Sequence, residues 1–181
     1  MFRHCTSITL IGMPGCGKTY WGKRLAQRFW IPAVDIDDLI VHRAGGRSLP
    51  TILAEGGETV LQSLENDCLQ NVLDTKLNTA TPTIISTGGS AVYATCAKEF
   101  FRHPMNLVLH LDVSTPNLVE RTQNFTNRGI IFNNMTPEQL KRKRDVLYRE
   151  HSDVSVYLPH DSDLTNLVSS VLAARFGVPF I

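Results

Sequence analysis

Gly12-Met13-Pro14-Gly15-Cys16-Gly17-Lys18-Thr19 is the stretch on which the reading of this chain turns. It follows the apolar run Ile8-Thr9-Leu10-Ile11 and leads into a segment where Leu25, Ala26 and Phe29 recur at helical spacing. The pattern is GxxxxGK[ST] without substitution, set between a predicted strand and a predicted helix, the context a phosphate-cradling loop requires. Glycines let successive backbone N–H groups curl around an anion, and the following helix adds its N-terminal dipole. Lys18 is placed to reach the β- and γ-phosphates of a nucleotide, and Thr19 to set its hydroxyl on Mg²⁺. Gly12, Gly15, Cys16, Gly17, Lys18 and Thr19 are therefore the expected nucleotide-binding residues.

Outward from the loop, residues 31–37 read as a second strand ending in acids, and 38–74 as mainly helical. Leu61, Leu64, Cys68, Leu69, Val72 and Leu73 form the apolar stripe of the last helix there, and Gly45-Gly46 and Gly56-Gly57 interrupt the region. Residues 82–87 read as a third strand stopped by Gly88-Gly89, and the almost continuously apolar 106–113 as a fourth. A helix opens at Ser114-Thr115-Pro116, and a capping box at Thr136-Pro137-Glu138-Gln139 starts another. Residues 154–158 predict a fifth strand and 164–175 a closing helix. Strands alternating with helices, without a hairpin signal, predict an α/β fold with a parallel sheet covered on both faces.

The chain has 181 residues, enough for one compact domain and short for two, so 1–181 is read as a single domain. Its 18 lysines and arginines against 17 acids leave a charge of +1, which argues against a nucleic-acid or membrane-surface partner. No apolar run approaches the roughly 20 residues of a membrane span. The start, Met1 to Ser7, lacks a signal peptide's apolar stretch, so a cytoplasmic protein is expected, and it is read as a monomer. Cys5, Cys16, Cys68 and Cys96 never fall in a CxxC pair, and the histidines show no ligand spacing, so free thiols are expected rather than a zinc site. Trp21 and Trp30 read as packing residues, and Lys141-Arg142-Lys143-Arg144 as a solvated helix face.

A GTPase would carry DxxG and NKxD motifs, and neither occurs. Small size, one sheet and a polar excursion near Arg128 favour a nucleotide-dependent kinase of a small metabolite. Asp35 and Asp37 close the second strand two residues apart, so their side chains leave on one face, at the sheet end that borders the ligand crevice. Two carboxylates beside a triphosphate need an intervening cation or hydroxyl. Asp35 is accordingly assigned to the metal's water shell, Asp37 to the acceptor hydroxyl, and Asp38 to the cap of the next helix.

The ordered set now on the page resembles the shikimate kinases: the loop at 12–19, Asp35-Ile36-Asp37, Gly45-Gly46-Arg47-Ser48, Gly57-Glu58, Gly88-Gly89, Arg121-Thr122, Arg128 and Leu147-Tyr148-Arg149. The resemblance runs over nearly the whole chain. It implies a three-layer α/β/α sandwich of the P-loop NTPase type with a five-stranded parallel sheet in the order 2-3-1-4-5. It also implies a substrate-binding helical region at about 38–74 and a lid at about 123–136. The implied reaction is ATP-dependent phosphorylation of a ring hydroxyl, best named as shikimate to shikimate 3-phosphate, with Mg²⁺ as cofactor and ADP as product. By the same likeness Lys18, Asp37 and Arg128 are catalytic, Arg121 stacks on adenine, and Arg149 pairs with the substrate carboxylate.

The departures lie on the substrate side. Gln62 stands where the family carries a carboxylate-binding arginine, while Glu65 is retained. The family's three glycines after the third strand become Gly88-Gly89-Ser90, and the lid's arginine-proline becomes Arg128-Gly129. A hydrogen bond to a charged group contributes about 1.5–3 kcal/mol, and glutamine cannot replace a guanidinium fork. A different small polyol or hydroxy acid is therefore the alternative acceptor, and a non-catalytic nucleotide-binding regulator the alternative outside the enzymes.

Overall fold

The computed structural model describes residues 7–122, 135–158 and 166. Five strands, β1 (Ser7–Ile11), β2 (Ala33–Asp35), β3 (Thr83–Ser86), β4 (Asn106–Asp112) and β5 (Val154–Tyr157), form one sheet in the order β2-β3-β1-β4-β5. Every pairing is parallel, with Thr9 opposite both Ile85 and Val108 at the centre. Successive residues of a strand point to opposite faces, yet Leu10, Ile11, Ile84, Ile85, Leu107, Val108 and Leu109 are all fully buried. Both faces are therefore covered, which is why these strands read as continuous apolar runs rather than alternating ones. Each such side chain withdrawn from water contributes about 1.5–3 kcal/mol.

Between the strands lie α1 (Lys18–Phe29), α2 (Ile36–Arg43), α3 (Leu49–Val72), α4 (Ala97–Phe101), α5 (Thr115–Thr122) and α6 (Pro137–His151). α1 seats on β3 at Gly22, where a Cβ would lie 2.4 Å from Ser86 Oγ. The Ser86 hydroxyl donates to the Lys18 carbonyl at 3.1 Å, so the helix start is tied to the strand end. α6 begins with the expected capping box: the Gln139 amide donates to Thr136 Oγ1 at 3.3 Å, and the Thr136 amide to Gln139 Oε1 at 2.9 Å.

Three expectations change. The second strand stops at Asp35, which caps α2 by accepting the Asp37 amide proton at 3.0 Å, so Asp38 is not the cap. Asp37 thus reaches the sheet end from the first turn of a helix, not from a strand. Trp30 is 92% exposed at the left-handed end of α1 and packs on little, whereas Trp21 borders the core. The basic run at 141–144 is a solvated face only at Arg142 and Lys143, because Arg144 is 2% exposed and Lys141 is engaged by two carboxylates.

The short α4, a 3-10 turn at Ala91–Tyr93 and a π-turn at Leu73–Leu77 were not legible as separate elements. Arg128, all but the last two residues of the expected lid, and all of the expected closing helix except Asn166 lie outside the described residues. Among the described residues, Cys16, Cys68 and Cys96 are free and buried, and no helix is long and apolar enough to cross a membrane.

Candidate functional site

The loop between β1 and α1 is built for an anion. Gly15 and Gly17 adopt φ of 83° and 98°, a region open mainly to glycine, and the turn they make aims backbone N–H groups inward. No side chain caps α1 at Gly17, which leaves the first-turn N–H groups for a ligand. Lys18 is 8% exposed, and its ammonium donates to the carbonyls of Gly12 at 2.8 Å and Met13 at 3.0 Å. Its remaining contact is Cys16 Sγ at 3.7 Å, a weak acceptor that a phosphate oxygen would outcompete. The Cys16 thiol is fully buried under the loop and its amide donates to Met13 at 3.2 Å, so this residue shapes the loop from below.

Thr19 and Asp35 come together as expected. The threonine hydroxyl donates to Asp35 Oδ2 at 2.7 Å, pairing two hard oxygen donors at the lip of the loop. That donor set fits a small divalent cation such as Mg²⁺, which takes carboxylate, hydroxyl and phosphate oxygens.

A cleft of about 630 Å³ opens beside this lip. Gly15, Gly17, Lys18, Thr19 and Arg121 line it on the loop side, and Asp37, Glu65, Gly88, Gly89, Ser90 and Arg144 on the other. The two acids meet over a glycine: a Cβ on Gly88 would lie 2.3 Å from Glu65 Oε1 and 3.1 Å from Asp37 Oδ1. Burial, then the charge of Asp35, pushes the Asp37 carboxyl up to about 6 against the pull of Lys18. Burial also pushes Glu65 up to about 7, helped by Asp37 and opposed by its hydrogen bond with Ser90 and by Arg144 and Lys18. An acid poised near neutrality, facing a phosphate loop across a cleft, can take a proton from a hydroxyl delivered to that loop.

Two residues assigned to the acceptor side lie off the cleft. Arg149 is not on the cleft: its side chain is 66% exposed and its nearest carboxylate is Asp112, at 4.0 Å. Arg144 lines the cleft, and on α6 it is the arginine that does so. Five residues turn a helix by about 500°, so Arg149 projects well away from the face that Arg144 presents. Gln62 is exposed on α3 and absent from the cleft lining, although Leu61 and Glu65 on the same helix do line it. A signal for Arg144 did exist in the sequence: it stands between Leu140 and Tyr148 on the buried i, i+4 stripe of α6, where a lone cation needs a reason.

Tyr148 anchors the cleft wall at Gly89 from behind. Its hydroxyl donates to the Gly89 carbonyl at 2.7 Å, and a Cβ on Gly89 would lie 3.0 Å from an Arg144 terminal nitrogen. The carbonyl side of the loop after β3 is thus held by one α6 residue while its Cα faces the other.

Comparison with known proteins bears on this site. Residues 14–174 match the family model described as shikimate kinase. A shikimate kinase of Stenotrophomonas maltophilia is 35% identical over 154 residues, covering 82% of this chain and 80% of the relative. One from Xanthomonas oryzae pv. oryzae is 35% identical over 168 residues, covering 86% and 84%. Among solved structures, a shikimate kinase from Acinetobacter baumannii in complex with shikimate superposes with a TM-score of 0.76 at 25% identity, covering 95% of this chain and 93% of that one. The Aquifex aeolicus shikimate kinase gives a TM-score of 0.76 at 24% identity and supports the fold.

Proposed function

The chain belongs to the shikimate kinase family, and from that premise we propose how its residues divide the work. It is a phosphotransferase that uses ATP to phosphorylate a hydroxyl of shikimate. The other acceptors and the non-catalytic regulator find no support in the comparisons.

In the proposed division, the loop N–H groups and Lys18 hold the β- and γ-phosphates, with Arg121 on the nucleotide side of the cleft. Thr19 and Asp35 hold Mg²⁺, which when bound neutralises charge on the transferring phosphates. Asp37 receives the acceptor hydroxyl, and Arg144 takes the acceptor's carboxylate. The acceptor oxygen then attacks the γ-phosphorus while the bond to the β–γ bridging oxygen breaks. The hydroxyl proton passes to Asp37, and ADP leaves. Arg128, by family likeness, closes over the phosphates. The helical region at about 38–74 supplies the acceptor face within one domain.

The observation that carries this reading is the shared cleft: Lys18 and Asp37 line one cavity, with Arg144 on its acceptor side. Arg144 meets the need raised by Gln62, since the cleft retains a buried guanidinium without the helix-α3 arginine. An assay of ADP release tests the reading. Shikimate with ATP and Mg²⁺ should give one ADP and one phosphorylated product per turnover. Failure of shikimate to stimulate ADP release would overturn it.

A further inference from the structure

Behind the cleft, β4 and α6 enclose a polar cluster that the reaction does not use. His110 is fully buried on β4, and its Nδ1 lies 3.1 Å from Ser155 Oγ, on the residue opposite it in β5. His110 Nε2 faces Asp145 Oδ1 at 4.0 Å, and both atoms are buried without a hydrogen-bond partner among the described residues. The other charged groups here are Asp112, Lys141 and Arg149. Lys141 Nζ lies 2.7 Å from Asp112 Oδ1 and 2.5 Å from Asp145 Oδ2, and Arg149 is 4.0 Å from Asp112 Oδ2. His110, Asp112 and Asp145 could together face a metal ion, but an internal ammonium already joins the two carboxylates.

The place of His110 in the fold gives the cluster its meaning. Its imidazole packs on the Tyr148 ring at 5.1 Å between centroids, and its free edge faces the carboxylate of Asp145. Asp145 follows Arg144 directly, and Tyr148 stands one turn beyond it. One β-strand side chain therefore touches α6 at the residue next to Arg144 and again one turn beyond it. Building on the shikimate kinase reading, we propose that His110 is a positioning residue for the acceptor: it sets the phase and depth of α6, and through it the reach of Arg144 into the cleft.

Burial keeps His110 below its ordinary range against the pull of Asp112 and Asp145, so the imidazole is neutral near pH 7. A neutral ring that accepts the Ser155 hydroxyl proton on Nδ1 carries its own proton on Nε2, directed at Asp145. At 4.0 Å this is a charge–dipole contact and not a hydrogen bond. As a directional attraction between β4 and α6 it still favours one seating of the helix.

The test uses three variants and two substrates. His110→Phe keeps the ring against Tyr148 and removes the polar edge; His110→Gln keeps an N–H donor; Asp145→Asn keeps an oxygen for Lys141 and removes the charge. The expected result is a rise of roughly tenfold in the shikimate KM, and in the shikimate Kd measured without ATP, for His110→Phe and Asp145→Asn. KM for ATP should stay within about twofold, because the loop is held by other residues. His110→Gln should recover most of the loss. Unchanged shikimate binding in His110→Phe and Asp145→Asn, or equal losses for both substrates alongside a lowered melting temperature, would overturn the proposal. Should His110→Phe not fold, Asp145→Asn decides alone. An unaltered enzyme that binds no shikimate would overturn the functional reading and this inference with it, an outcome distinct from failure of the variants.

Discussion

Asp37 and Glu65 face each other over Gly88, and their proton affinities set two opposite pH trends. In its proposed role as base Asp37 must be ionised, so activity should fall as pH drops through about 6, where its carboxyl takes up a proton. Asp37→Asn should lower kcat by about 10²–10⁴-fold and leave ATP affinity nearly unchanged, as single-turnover and binding measurements would show. Stability runs the other way. Glu65 binds its proton more tightly in the folded chain, about 7, than its ordinary 4.5, so the folded state holds the extra proton between those values and loses stability as pH rises through them. Glu65→Gln should therefore gain about 2–3 kcal/mol on the parent between pH 5 and pH 8, seen as a melting-temperature difference that widens with pH. The residue types and the pair Asp35 and Asp37 were legible along the chain. The family likeness named Glu65 on the substrate side with Asp37, but no local pattern joins them, because 28 positions of sequence separate them and only the folding of α3 against the end of β3 closes that gap.

At the scale of an element, α3 and α6 decide the acceptor face. α3 is two helical pieces joined at Gly57, whose φ of 70° and ψ of −176° belong to a region essentially closed to other residues. Nothing lies within 4 Å of a Cβ built there, so the cost of a side chain is in the backbone and not in a clash. Gly57→Ala should destabilise the protein by about 1–3 kcal/mol in denaturant titrations. It should also weaken acceptor binding more than ATP binding, because the break sets how Leu49 and Glu65 meet across the cleft. The paired glycines at Gly56-Gly57 announced an interruption, but its angle belongs to the folded helix. For α6 the capping box was readable from Thr136 and Gln139, and the Leu140, Arg144, Tyr148 spacing marked a buried stripe, but that this stripe meets the cleft shows only in the fold. Arg144→Gln should raise the shikimate KM about ten- to a hundredfold, the worth of a charged hydrogen bond, while Arg149→Gln should change it less than about twofold. Steady-state kinetics on the two variants separate these outcomes.

Over the whole molecule, the parallel sheet brings four distant segments to one edge. The loop at Gly12, the acid at Asp35, the glycines after β3 and the start of α5 all follow strand C-terminal ends, and an open α/β sheet binds its ligands there. Because both substrates are held in that cleft by elements from across the chain, binding should stabilise the fold globally. At ligand concentrations near 100 Kd the gain is about 2.7 kcal/mol, roughly 5–10 °C in melting temperature for a chain of this size. Removing divalent cations with EDTA should abolish turnover and reduce the shift produced by ATP, leaving the shift produced by shikimate intact.

What the sequence determined by itself is the phosphate half of the protein. Its chemistry is contiguous: eight successive residues between a strand and a helix specify loop geometry, lysine and metal-side hydroxyl, and no tertiary contact is needed to name them. The alternating elements gave the parallel sheet, the family likeness implied its strand order, and that order stands as observed. Of the acceptor half, Asp37, Glu65 and Gly88 were named through the family likeness, and the cation that completes it was decided only in three dimensions. Asp37, Glu65, Gly88 and Arg144 come from four elements or loops, and which cation reaches the cleft depends on the rotational phase of α6 against β4. A helix turns by about 100° per residue, so a neighbouring arginine of the same type can face solvent while its fellow is buried; composition cannot distinguish them, but packing does.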